Sequence, residues 1–140
     1  MNASTHLPPI TVSSRDLARL EQLLDSPGLR HVPAAIALGR ELERAAVLAP
    51  EDMPPDVVTM NSTVSCVDEL SGDHHRFTLA YPADADVASH RVSVLAPVGS
   101  ALLGLSIGSV IDWQAPGGRA LRVRLTAIDY QPEAAGDLHR

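Results

Sequence analysis

The chain has 140 residues, 45% of them hydrophobic and 20% charged, with a formal net charge of −6. This length accommodates one ordinary domain, or one small domain with an appendage, and the composition excludes a disordered chain. All eleven basic residues are Arg, against seventeen acids, so the basic footprint needed for sequence-independent nucleic-acid binding is missing and a protein partner is expected.

Only Phe77, Tyr81, Trp113 and Tyr130 are aromatic, too few for a platform that stacks single-stranded bases or for an aromatic ligand pocket. Cys66 is the lone cysteine, which excludes an internal disulfide and reads as a small buried filler. No signal peptide is visible, and no apolar run approaches the roughly 18 residues of a membrane span, so the expected compartment is the cytoplasm.

Met1 to Val12 has no helical period and contains Pro8-Pro9, which predicts a mostly loose leader with at most one short extended piece at TVSS. Ser13 followed three residues later by Asp16 makes a capping-box-like start, and Leu17, Leu20 and Leu24 then recur at helical spacing, predicting a helix over Ser14–Asp25. Ser26-Pro27-Gly28 stops it. Pro33 suits the first position of a second helix, with Leu38, Leu42 and Ala45 on one face. Two such helices joined by a short connection predict an antiparallel hairpin packed through Leu17, Leu20, Leu24, Leu38 and Leu42. At a rise of about 1.5 Å per residue it projects only about 18 to 24 Å.

The linker APEDMPP breaks the helical register, because the residue before each proline is pushed out of the helical region. After it the period becomes two, with strands expected at Val57–Met60, Thr63–Leu70, His75–Tyr81, Arg91–Leu95, Ser109–Ala115 and Ala120–Tyr130. Ser71-Gly72-Asp73 turns the second strand into the third. Pro97 opens a short helix that Gly104 and Gly108 close. Pro116-Gly117-Gly118 reverses the chain into the last strand, where Leu121, Val123, Leu125 and Ala127 alternate with Arg122, Arg124 and Thr126. The tail QPEAAGDLHR reads as irregular. The expected class is α+β, with residues 1–49 forming the leader and hairpin and residues 50–140 forming the sheet domain.

Candidate sites are sparse. Arg30 and His31 sit in the helix–helix connection, as partner contacts or as a solvated loop. Arg122 and Arg124 make a basic strand face, open to a partner or simply wet. Adjacent strand residues point to opposite faces, so His74-His75 cannot easily share a metal. Glu51, Asp52 and Asp56 read as a solvated linker, or as a cluster that fixes the angle between the two parts it joins. The serines lack a nucleophile-elbow setting, no glycine loop cradles phosphate, and no histidine near Cys66 in sequence argues for its activation. No cofactor and no metal is implied.

Three segments, PEDMPPDVVTMNS at 50–62, LAPVGSALLGLSIGSVIDWQAPGG at 95–118 and YQPEAAGD at 130–137, together resemble the Rnk family, the regulators of nucleoside diphosphate kinase, which are bacterial relatives of the GreA and GreB transcription factors. The resemblance implies a short coiled-coil hairpin on an FKBP-like antiparallel sheet domain with one short helix. It further implies a non-enzymatic, monomeric protein that binds RNA polymerase at its secondary channel, competes with Gre factors and affects nucleoside diphosphate kinase levels. Contact with DNA or RNA would be only indirect, through polymerase, and no membrane is involved. In the Gre relatives the loop before the short helix contacts a coiled coil at the channel rim. The matching positions are Leu95, Ala96 and Pro97, with Leu-Ala standing where Gre factors usually carry Asn-Ser. Gre factors promote RNA cleavage with paired acids at the hairpin tip, whereas the connection Ser26 to Val32 holds no carboxylate. That points to channel occupancy without cleavage. The FKBP-like fold also raises prolyl isomerisation, against which the few aromatics count, and direct association with a nucleoside diphosphate kinase stays open.

Overall fold

The computed structural model describes residues 10–114, 118 and 120–138. The leader before Ile10 and the expected reversal at Pro116-Gly117 therefore lie outside the described residues.

Helix α1 (Ser14–Leu24) starts where Ser13, in extended backbone, accepts the Asp16 N–H on its hydroxyl oxygen at 3.0 Å, satisfying a donor that a first turn leaves unpaired. It ends at Leu24 with Asp25 as its cap, and a short 3-10 turn at Pro27–Leu29 follows. Helix α2 (Pro33–Glu43) opens on Pro33, whose missing donor costs nothing at that position. Two short strands that sequence reading did not pair flank the helices. β1 (Thr11–Ser13) lies parallel to β2 (Ala46–Leu48), with Val12 opposite Val47. β1 is the short extended piece expected at TVSS, and Ala45, expected on the second helix, lies beyond its end.

The main sheet has five strands in the order β5 (Arg91–Ser93), β4 (His74–Ala80), β3 (Thr63–Asp68), β7 (Ala120–Tyr130), β6 (Val110–Gln114). It is mixed and not wholly antiparallel as expected, because β5 runs parallel to β4. Two 3-10 turns, Pro82–Asp84 and Val87–Ser89, carry the chain back between them, the crossover a parallel pair requires. Register shifts between Thr63 and Val64 and between Ser65 and Cys66 bend the β3–β7 ladder, and such bulges curl a sheet.

The expected strand Val57–Met60 is a buried loop. Val57 makes one isolated bridge to Ser106, the Val58 N–H donates to the Leu105 carbonyl at 2.8 Å, and Asn61 turns the chain with a φ of 66°. Its apolar character comes from burial: Val58 and Met60 are at most 1% exposed. Periodicity alone cannot tell such a run from a strand.

One continuous core joins these parts. Leu20, Leu38 and Leu42 from the helices share it with Val58, Met60, Val64, Leu79, Val94 and Leu125, while Leu17 and Leu24 pack half-buried against it. Helix α3 (Pro97–Leu102) adds Val98 and Leu102. The tail is tied down by side chains. Gln131 Nε2 donates to the carbonyls of Pro54 and Val57 at 2.8 and 2.7 Å, and Thr59 Oγ1 donates to Glu133 Oε1 at 2.7 Å.

Asp16 connects helix to sheet domain. Its carboxylate is buried and accepts the Met60 N–H at 3.0 Å, 44 residues away. Burial pushes its pKa up to about 6 from 3.8; the Met60 N–H and Arg19 oppose this and Glu133 adds to it. An acid with a raised folded pKa binds its proton more tightly when folded, so stability falls as pH rises from about 4 to about 6. The ionised form then costs on the order of 3 kcal/mol at neutral pH. Asp16→Asn keeps an acceptor for Met60 and removes the titration. Urea unfolding should therefore show the wild type losing ground to the variant across that window, and a gap independent of pH would refute the assignment.

Candidate partner-docking site

The loop before α3 is held in place by local hydrogen bonds. The Leu95 N–H donates to Ser93 Oγ at 3.0 Å, the Ala96 N–H donates to the Ser93 carbonyl at 3.0 Å, and the Ala96 carbonyl accepts from Ser100 N–H at 2.8 Å. Leu95 and Ala96 are half-buried, and Pro97 is the first residue of α3.

Beside this loop lies an apolar groove of about 360 Å³, lined by Phe77, Val87, Arg91, Val92, Ser93 and Ala96 among others. Its outer wall is the turn from Asp86 to Arg91. Asp86 and Arg91 exchange two backbone hydrogen bonds of 2.9 Å, and the Asp86 carboxylate accepts from Ala88 N–H at 3.1 Å and Ser89 Oγ at 2.9 Å. His90 closes the turn in the left-handed region with a φ of 58°. The result holds Val87 in water at 92% exposure. Single exposed apolar residues are common on surfaces, but this one stands on a hydrogen-bonded turn at the mouth of an apolar groove. Arg91 Nε is buried in that wall without an acceptor among the described residues. The groove thus offers apolar area. A single aromatic, Phe77, lines it, and that ring stacks on His75 at 5.8 Å between centroids.

Sequence reading placed weight on the loop and missed Val87 and Arg91. The available signal was Asp86 followed by Ser89, a turn-forming spacing in which the side chains bond to nearby backbone. Arg30 and His31 are both exposed after the 3-10 turn, on the connection and apart from the groove lining. Three arginines of the sheet are engaged: Arg122 pairs with Asp112 at 2.9 Å, Arg124 with Glu69 at 2.6 Å and Arg76 with Asp129 at 3.2 Å. The basic face expected from Arg122 and Arg124 is therefore neutralised. Burial pushes the Cys66 thiol up to about 11, leaving it protonated and unreactive at neutral pH. Among the described residues no group of three or more His, Cys, Asp or Glu converges on a cation position, and no helix is long and apolar enough to cross a membrane.

Residues 53–130 match the family description "Transcription elongation factor, GreA/GreB, C-term", and residues 8–48 match "Rnk N-terminus". A relative from Escherichia coli K12, "Regulator of nucleoside diphosphate kinase", is 45% identical over 93% of this chain and 96% of its own length. The chain belongs to the Rnk family, within the GreA/GreB group. The GreA factor of Rhodospirillum rubrum is 36% identical over 56% of this chain and 53% of that protein. Among solved structures, a prokaryotic transcription elongation factor GreA/GreB from Nitrosomonas europaea superposes with a TM-score of 0.77 at 48% identity, covering 89% of this chain and 100% of that one. These Rnk and Gre relatives carry names of regulators and transcription factors, not of enzymes. The groove and the loop at 95–97 both fall inside the part matched to the GreA/GreB C-terminal description.

Proposed function

We propose that this chain is a non-catalytic transcription regulator that docks on RNA polymerase near the secondary channel and competes there with Gre factors, with nucleoside diphosphate kinase levels as a downstream effect. One observation carries the reading: a Gre-type C-terminal part is joined to a helical pair whose connection has no carboxylate from Ser26 to Val32, with a single acid, Asp25, at its margin as the cap of α1. A hard cation such as magnesium needs oxygen ligands, preferably anionic, and this connection supplies none from side-chain carboxylates. The helices, 11 residues each, extend about 17 Å at about 1.5 Å per residue. They form a short coiled-coil-like arm on an FKBP-like sheet, in a monomeric cytoplasmic protein whose parts divide near residue 50.

In this reading the loop Leu95-Ala96-Pro97 and the groove beside it meet the rim of the channel, with Val87 as apolar anchor. Arg30 and His31 face polymerase from the connection. Displacement of a labelled GreA-type factor from core polymerase should be complete at saturating protein. Val87→Asp should weaken it about tenfold, as truncating or charging a well-packed anchor does. Transcript cleavage in halted complexes should stay at the intrinsic rate. No displacement by the wild type, or cleavage above that rate, would overturn the proposal.

A further inference from the structure

A second groove, between α1 and α2, shares no lining residue with the loop at 95–97. It measures about 450 Å³, with Leu24, Ile36 and Leu42 as apolar floor and Glu21, Asp25 and Glu43 at its rim. Its origin is visible in the spacing. Glu21, Leu24 and Asp25 stand at positions i, i+3 and i+4 of one helical stripe, and Ile36, Gly39, Arg40 and Glu43 at i, i+3, i+4 and i+7 of another, so each set shares a face.

Gly39 opens the groove. A Cβ there would meet only Leu24 Cδ1, at 3.8 Å, so the absence of a Cβ relieves no close contact. Ile36 is 43% exposed. Glu21, Asp25 and Glu43 are exposed and form no ion pair among the described residues, whereas neighbouring Glu41 is paired with Arg44 at 3.9 Å. Arg40 is the one cation at the rim.

We infer that this groove is a second docking surface, which takes an apolar side chain of polymerase flanked by lysine or arginine. Unpaired carboxylates around an apolar floor set the sign of the partner: the apolar contact supplies affinity, and the charges supply orientation and association rate. Nucleic acid and anionic membrane present the wrong sign. A second copy of this chain in a two-fold contact would set the same carboxylates against each other. The inference rests on polymerase being the partner.

Two variants test it, with core polymerase as the probe and displacement of a GreA-type factor as the readout, at two salt concentrations. Glu21→Arg combined with Glu43→Arg reverses the rim, and should weaken displacement about tenfold at low salt with the gap closing as salt rises. Gly39→Leu fills the groove with a better helix former, and should weaken displacement about fivefold at both salt concentrations. Thermal unfolding of each variant reports that the fold is kept. If either folded variant competes as the wild type does, this surface is refuted, and the polymerase reading stands so long as the wild type displaces the factor. If the wild type itself fails to displace the factor, both fall.

Discussion

Gly99→Ala is expected to destabilise the protein by about 3 kcal/mol, the upper end of what overpacking a tight site costs. A Cβ at Gly99 would lie 2.0 Å from the Ser93 carbonyl oxygen and 2.8 Å from its carbon. Both are backbone atoms and cannot swing aside. The same Ser93 carbonyl holds the Ala96 N–H, so the new methyl group pushes on the hydrogen bond that shapes the loop before α3. Denaturant unfolding should show the loss, and displacement of a GreA-type factor should weaken in protein that still folds. Gly28→Ala is the control, since nothing lies within 4 Å of a Cβ there. Equal stabilities for the two variants would show that α3 does not rest on the β5 backbone.

Leu20→Ala should cost about 2 to 5 kcal/mol, the range for emptying a fully buried leucine site. Leu20 is 0% exposed and belongs to the same cluster as Val58, Met60 and Leu79. Because that cluster is continuous, the loss should appear as a lower midpoint of one cooperative transition. Leu17→Ala, at a half-buried position, should cost clearly less. An unchanged midpoint for Leu20→Ala would mean that α1 turns another face to the core.

Much of this arrangement is legible from local chemistry. Ser13, Pro33 and Pro97 mark helix starts because each solves a problem internal to a first turn, and the structure places α1, α2 and α3 at those starts. The long alternation from Leu121 to Ala127 marks β7 for the same reason: one face is wet along its length. What local chemistry does not encode is pairing at a distance. Ala46–Leu48 is three residues long and exposed throughout, so its strand character exists only through Thr11–Ser13. The buried run at Val57–Met60 owes its composition to the core and its backbone path to partners elsewhere, among them Leu105 and Asp16. Asp16 looks like a capping residue, and its larger task, holding Met60, is set by tertiary structure. The groove beside the loop at 95–97 escaped for a similar reason. Phe77, Val87, Val92 and Ala96 come together only because β4 and β5 run parallel across an ordered turn.

The parallel pair of Thr11–Ser13 with Ala46–Leu48 has a consequence for which changes the chain tolerates. It fastens both ends of the segment holding α1 and α2 beside the sheet domain, so insertions near Pro27 to Arg30 are made in a segment anchored on each side. Lengthening a closed loop is cheap, about 0.6 kcal/mol per doubling. Seven helical residues added to each arm would move the connection outward by about 10 Å, with no change asked of the five strands or of the groove. Arm length and the groove beside Leu95 to Pro97 are separable in this architecture, and each is free to vary without remaking the other.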